Sequence, residues 1–107
     1  MYPDLEGKTV IVTGAASGLG KSIALRLGRE KANVVINYHS NSEGIDDMVK
    51  EIEQAGGQAI TVQASTSEED GVKKLIQAAH DKFGSLDIMI NNAGKENEVE
   101  SHKLSLD

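Results

Sequence analysis

The segment TGAASGLG, Thr13 to Gly20, sets Gly14, Gly18 and Gly20 between a short apolar run and a helical pattern. The chemistry such a turn suits is the holding of a phosphorylated ligand. A helix N-terminus leaves backbone N–H groups unpaired and carries partial positive charge, and anions bind there. A pyrophosphate reaches those groups only where bulky side chains are absent. Gly14 permits a sharp exit from the strand, Gly18 lets phosphates approach the backbone, and Gly20 lets the helix pack closely on the sheet. The spacing is G-x-x-x-G-x-G, not the G-x-G-x-x-G fingerprint, and no Gly-Lys-Ser/Thr follows at P-loop spacing. On the glycines alone, a turn that binds nothing stays open as the alternative.

In a dinucleotide site the adenosine ribose meets the end of the second strand, about 20 residues beyond the glycines. There the sequence reads NYHS, Asn37 to Ser40. It holds no acid to grip both ribose hydroxyls and repel a 2′-phosphate. Asn37 can donate to the ribose with or without that phosphate, His39 can approach the phosphate, and Ser40 can hydrogen-bond it. His39 reads equally well as an ordinary exposed loop histidine. The expectation is NADP, or both NADP and NAD, rather than strict NAD use.

The remaining titratable residues suggest no second site. His80 and His102 lack partners at metal-ligand spacing, so no metal site is expected. Asp46 and Asp47 are adjacent and point apart on a helix, which excludes a catalytic carboxylate pair. Glu68, Glu69 and Asp70 stand where a helix dipole favours acids. Asp87 reads as structural, and Met48 and Met89 as core. Lys95 follows the fourth strand and is solvent-exposed by default.

The elements that must position these residues alternate. KTVIVT (Lys8–Thr13), ANVVIN (Ala32–Asn37), QAITVQ (Gln58–Gln63) and LDIMIN (Leu86–Asn91) are apolar runs that read as strands. Leu19, Ile23, Ala24 and Leu27 share one face of a first helix, which Gly28 weakens near its end. Ile45, Met48, Val49 and Ile52 form the stripe of a second, with Ser42 as its cap and Gly56 and Gly57 as its stop. Val72, Leu75, Ile76, Ala79 and Phe83 form the stripe of a third, opened by a capping box of Ser67 and Asp70 and closed by Gly84. The order βαβαβαβ predicts an α/β fold with a parallel sheet and right-handed crossovers. Residues 95–107 form a polar tail without clear period, and LSLD at its end reads as the start of a helix.

Length and composition bound the answer further. The 107 residues predict one domain. No cysteine is present, which removes disulfides and thiolate metal sites and agrees with a cytoplasmic setting. No apolar run is long enough to span a membrane, and no leader pattern is evident. The net charge of −6 and the scarcity of aromatics (Tyr2, Tyr38 and Phe83) argue against nucleic-acid binding and base stacking.

TGAASGLG together with NNAG, Asn91 to Gly94, resembles the short-chain dehydrogenase/reductase family. MYPDLEGK, VVINYHS and DIMINNAGKENEVESHKLSLD further resemble its bacterial glucose 1-dehydrogenase branch. The likeness covers essentially the whole chain, but only the amino-terminal part of such an enzyme. It implies a Rossmann-like half-fold with strand order 3-2-1-4. It implies that Gly14, Ser17, Gly18, Leu19 and Gly20 lie along the pyrophosphate and ribose, and that Asn37, His39 and Ser40 lie near the adenosine ribose. Asn91, Ala93 and Gly94 would stand beside the cofactor, while Asn91 and Asn92 serve equally to tie the central strands together.

Two departures from the family bear on cofactor recognition. Arginine usually stands at the place of His39. An Asp-Val pair usually follows the third strand and meets the adenine, where this chain has QASTSEED, with Ser65 and Thr66 as the nearest equivalents. The family's Ser, Tyr and Lys catalytic set has no counterpart, since neither Tyr2 nor Tyr38 begins a Y-x-x-x-K. No catalytic residue is therefore assigned, and the chain alone is expected to be inactive. The readings are a dinucleotide-binding module, a minimal or designed folding scaffold that self-associates through a bare sheet edge without useful cofactor binding, or an oxidoreductase completed by another chain.

Overall fold

A computed structural model describes residues 5–40 and 42–92. The elements run β1 (Thr9–Val12), α1 (Gly18–Arg29), β2 (Asn33–Tyr38), α2 (Ile45–Gln54), β3 (Gln58–Gln63), α3 (Glu69–Phe83) and β4 (Ile88–Ile90). All strand pairs are parallel and the sheet order is β3-β2-β1-β4, as the resemblance implied. β1 is central because its four residues are apolar or β-branched and all are buried. Such strands, covered on both faces, are the signature of a parallel sheet between helical layers.

The two layers are distinct. Val10, Val12, Val34, Ile36 and Ala59 face Ala24 and Leu27 of α1 and Ile45, Met48 and Ile52 of α2. Ile11, Val35 and Val62 face Leu75 and Ala79 of α3 on the other side. The alternation along β1 and β2 thus sends successive side chains to opposite helical layers. α1 and α2 approach so closely that a Cβ on Gly28 would stand 2.8 Å from Ile52 Cγ1. Gly28 is therefore a packing residue at a helix crossing, and its low helix propensity is offset by that contact.

Helix ends differ from the sequence reading in three places. Leu19 lies outside the buried stripe of α1 and is 66% exposed, because the first turn of α1 begins beyond the end of β1 with no sheet beneath it. The N-cap of α2 is Gly44, with φ +79°, and Ser42 contributes only its carbonyl, which accepts from Ile45 N–H at 3.1 Å. The N-cap of α3 is Glu68, and the Ser67–Asp70 capping box does not form; Ser67 Oγ instead pairs with Ser65 Oγ at 2.8 Å. α1 and α2 both end in Schellman turns. In α2 the left-handed residue is Gly56, but in α1 it is Lys31, with φ +65°.

β4 is shorter than its apolar run suggests. Thr9 N–H donates to the Asp87 carboxylate at 2.9 Å rather than to a strand carbonyl, and Asp87 N–H returns a bond to Thr9 O at 2.9 Å. The Asp87 side chain thereby ends the ladder, which agrees with its structural reading. Met48 is buried and Met89 packs half-buried on the second cluster. The polar tail, 95–107, lies outside the described residues.

Candidate functional site

The site is assembled where β1, β2 and β4 end. The chain leaves β1 through Thr13 and turns at Gly14, whose φ of +60° a side chain would strain. Ser17 caps α1: its Oγ accepts from Gly20 N–H at 3.2 Å and donates to Gly14 O at 3.0 Å. Gly20 is buried, and a Cβ on it would collide with Gly14 O and come within 2.7 Å of Asn92 Nδ2. Gly18 is the opposite case: it is exposed, and a Cβ there would meet nothing within 4 Å. The N–H groups of Gly18 and Leu19 open the helix and have no partner among the described residues. A shallow, electropositive, side-chain-free surface results, flanked by the Ser17 hydroxyl and the exposed Leu19 side chain.

Two strands brace this turn. From β4, Thr13 N–H donates to Ile90 O at 3.0 Å, Thr13 Oγ1 donates to Asn91 Oδ1 at 3.1 Å, and Asn92 N–H donates to Thr13 Oγ1 at 2.8 Å. Asn92 Nδ2 donates to Ser17 Oγ at 2.9 Å and to Gly14 O at 3.2 Å. From β2, Asn37 accepts from Gly14 N–H through Oδ1 at 3.2 Å and from Ala15 N–H through its main-chain oxygen at 2.9 Å.

The sequence-assigned residues separate into two groups. Ser17, Gly18, Leu19, His39 and Ser40 are exposed along the strand ends, with Ser65 and Thr66 half-buried after β3. Asn37, by contrast, is 2% exposed with its amide engaged by backbone groups. Asn91 is half-buried against Thr13. Ala93 and Gly94 lie outside the described residues. The sequence reading did not single out Gly71, where a Cβ would collide with the Ser65 carbonyl. A glycine early in a helix was the only available signal for that close approach. Gln63 Nε2 donates to His39 O at 2.9 Å, and Lys74 Nζ donates to Gln63 O at 3.0 Å, so the His39 loop is held from β3 and α3.

The match to known proteins agrees with this geometry. Residues 8–107 fit the model of the short chain dehydrogenase family. The chain belongs to that family. It is 49% identical to glucose 1-dehydrogenase 2 of Bacillus subtilis over 108 aligned positions, which span 100% of this chain and 42% of that protein. It is equally 49% identical to 3beta-hydroxysteroid dehydrogenase 1 of Eggerthella lenta, over 100% of this chain and 41% of that protein. The chain thus spans about two fifths of the length of these curated relatives. Among solved structures it resembles the NADH-dependent reductase A1-R′ complexed with NAD, with a TM-score of 0.80 and 31% identity over 88% of this chain and 39% of that one. A dehydrogenase/reductase from Sinorhizobium meliloti 1021 gives a TM-score of 0.79 and 39% identity, over 86% and 36% of the respective chains.

Two other features lie away from the strand ends or bear on other ligands. A groove of about 320 Å³ runs between Leu5 and the outer face of α1, lined by Ile23, Arg26, Leu27 and Glu30. Among the described residues no cluster of three or more metal-ligating side chains occurs, and no helix is long and apolar enough to cross a membrane.

Proposed function

We propose that this chain binds a nicotinamide dinucleotide across the ends of β1, β2 and β4, as the cofactor-holding part of an oxidoreductase. The observation that carries the reading is Gly18: open space where its Cβ would stand, next to two unpartnered helix N–H groups. That cradle fits a pyrophosphate, and a side chain would fill it. Gly14, Ser17, Gly18, Leu19 and Gly20 hold the pyrophosphate end. His39 and Ser40 take the adenosine ribose, Ser65 and Thr66 the adenine, and Asn91, Ala93 and Gly94 the side toward β4. When bound, the dinucleotide supplies hydride transfer; this chain's residues supply its place and orientation.

The absence of an acid from Asn37 to Ser40 favours NADP, or both cofactors, over NAD alone. The relatives named for glucose and hydroxysteroid oxidation favour a substrate with an oxidisable hydroxyl. Calorimetric titration of the purified chain with NADP and with NAD tests the reading. Saturable binding, tighter for NADP and abolished by Gly18→Asp in a variant of unchanged circular dichroism, is the expected result. A folded chain that takes up neither dinucleotide overturns it.

The edge of β4 favours a second, compatible reading. Ile88, Met89 and Ile90 are half-buried, whereas every residue of the neighbouring β1 is buried. Among the described residues no strand pairs with the outer edge of β4, and an apolar strand edge pairs readily with another, so the chain by itself is proposed to self-associate there. Sedimentation as a monomer at high concentration contradicts this.

A further inference from the structure

Asn37 has the sequence position of a ribose contact and the environment of a brace. It is 2% exposed at the end of β2. Its Oδ1 accepts from Gly14 N–H at 3.2 Å, and its main-chain oxygen accepts from Ala15 N–H at 2.9 Å. One residue thus holds two consecutive N–H groups of the turn that leaves β1. Its Nδ2 faces the other way, toward Ala64 O at 3.1 Å, Val62 O at 3.3 Å and Tyr38 O at 3.4 Å. Every polar atom of the side chain is engaged by backbone.

We infer that Asn37 is a positioning residue, which fixes the height of the phosphate turn relative to the end of β3 and does not read the ribose. This rests on the dinucleotide reading given above. The chemistry of the position follows from its neighbours. The Nδ2 side meets only carbonyl oxygens, so the residue must donate there. The Oδ1 side meets an N–H, so it must also accept. A carboxylate satisfies the second demand and opposes the first, bringing a buried negative charge against three oxygens. An amide is the side chain that serves both. The backbone around position 37 therefore sets its identity, and recognition of a 2′-phosphate passes to the exposed His39 and Ser40.

The pyrophosphate, whose affinity depends on where the α1 N-terminus stands, is common to NAD and NADP. Loss of the brace therefore weakens NAD and NADP by the same factor and also frees Gly14 N–H in the ligand-free chain, whereas loss of a ribose contact would leave Gly14 protection unchanged. Amide hydrogen exchange on the ligand-free chain, followed by NMR, combined with titration of both dinucleotides, tests the inference. In the wild type, Gly14 N–H is expected to be protected like the amides of β1. In Asn37→Ala, Gly14 protection falls about tenfold, Ala15 protection falls less, and both dinucleotides lose affinity about tenfold and equally. A freely exchanging Gly14 in the wild type, an unchanged affinity, or a loss confined to one dinucleotide overturns the inference. Where Asn37→Ala does not fold, wild-type Gly14 exchange and the milder Asn37→Ser decide. A wild type that binds neither dinucleotide overturns the proposed function, and Gly14 exchange then decides the brace separately.

Discussion

Asn92 Nδ2 stands 2.9 Å from Ser17 Oγ and donates to it across 75 residues of sequence, so that the residue after β4 supports the cap of α1. The same Oγ accepts from Gly20 N–H. Removal of the cap in Ser17→Ala is expected to cost about 1 kcal/mol of stability. Asn92→Ala leaves the Ser17 hydroxyl without that donor but keeps the bond to Thr13 Oγ1, which comes from the main-chain N–H of residue 92. In a double-mutant cycle by urea unfolding, the two changes together should cost less than their sum. Strict additivity would show that the Asn92–Ser17 bond contributes nothing.

Gly18 and Gly20 belong to one motif and should fail in different ways. Gly18→Ala has room in the protein, so its melting temperature is expected to stay within a few degrees of the wild type while dinucleotide affinity falls. Gly20→Ala drives a methyl group into Gly14 O and Asn92 and should destabilise by about 1–3 kcal/mol. Thermal unfolding and calorimetry on the two variants separate the effects. Equal loss of stability in both would remove the distinction.

His39→Arg should sharpen cofactor choice. His39 is exposed at the end of β2 and its carbonyl is fixed by Gln63. A guanidinium there adds a permanent charge and a planar fork suited to phosphate. NADP affinity is expected to rise about tenfold at low salt and to lose most of that gain in high salt, with NAD unchanged. A parallel rise for both dinucleotides would place residue 39 away from the 2′-phosphate.

Lys31→Gly should stabilise the fold. Lys31 occupies the left-handed position of the Schellman turn after α1, where a Cβ is disfavoured by about 1 kcal/mol. Part of that gain is offset by the greater freedom of glycine in the unfolded chain. A rise of about 0.5 kcal/mol in unfolding free energy is the expected outcome, read as a shift in the urea midpoint. A fall would mean that the contact of the Lys31 side chain with Gly56 outweighs the backbone strain.

The strands were legible because β1 and the middle of β2 are buried on both faces, and burial of that kind demands β-branched and apolar runs such as TVIV and VVI. The glycine turn was legible for a related reason, since a left-handed φ favours glycine at Gly14 and close approach to Gly14 O and Asn92 excludes a side chain at Gly20. The exposure of Leu19 was not legible from its spacing, because helical spacing reports a face but not how far the sheet extends beneath it. The caps of α2 and α3 were missed because Ser42 and Ser67 have the right side chains, while loop geometry selected Gly44 and Glu68. The brace at Asn37 escaped because its partners at Val62 and Ala64 are carbonyl oxygens, which every residue carries and no sequence distinguishes.

The brace and the cap also belong to different moments in the history of the chain. β1 meets β2 and β2 meets β3 across about 25 residues each, whereas β1 meets β4 across nearly 80. Closing the longer loop carries the larger entropic cost. The unit from Thr9 to Gln63 is thus the one with the shorter path to its native contacts, and it already contains Asn37 and Gly14. Thr13, Gly14 and Ser17 acquire their remaining partners only when Ile90, Asn91 and Asn92 arrive. The phosphate cradle is in this sense a clasp, hinged early on one strand and fastened late by another, so its readiness for a ligand reports that the central strand has been enclosed on both sides.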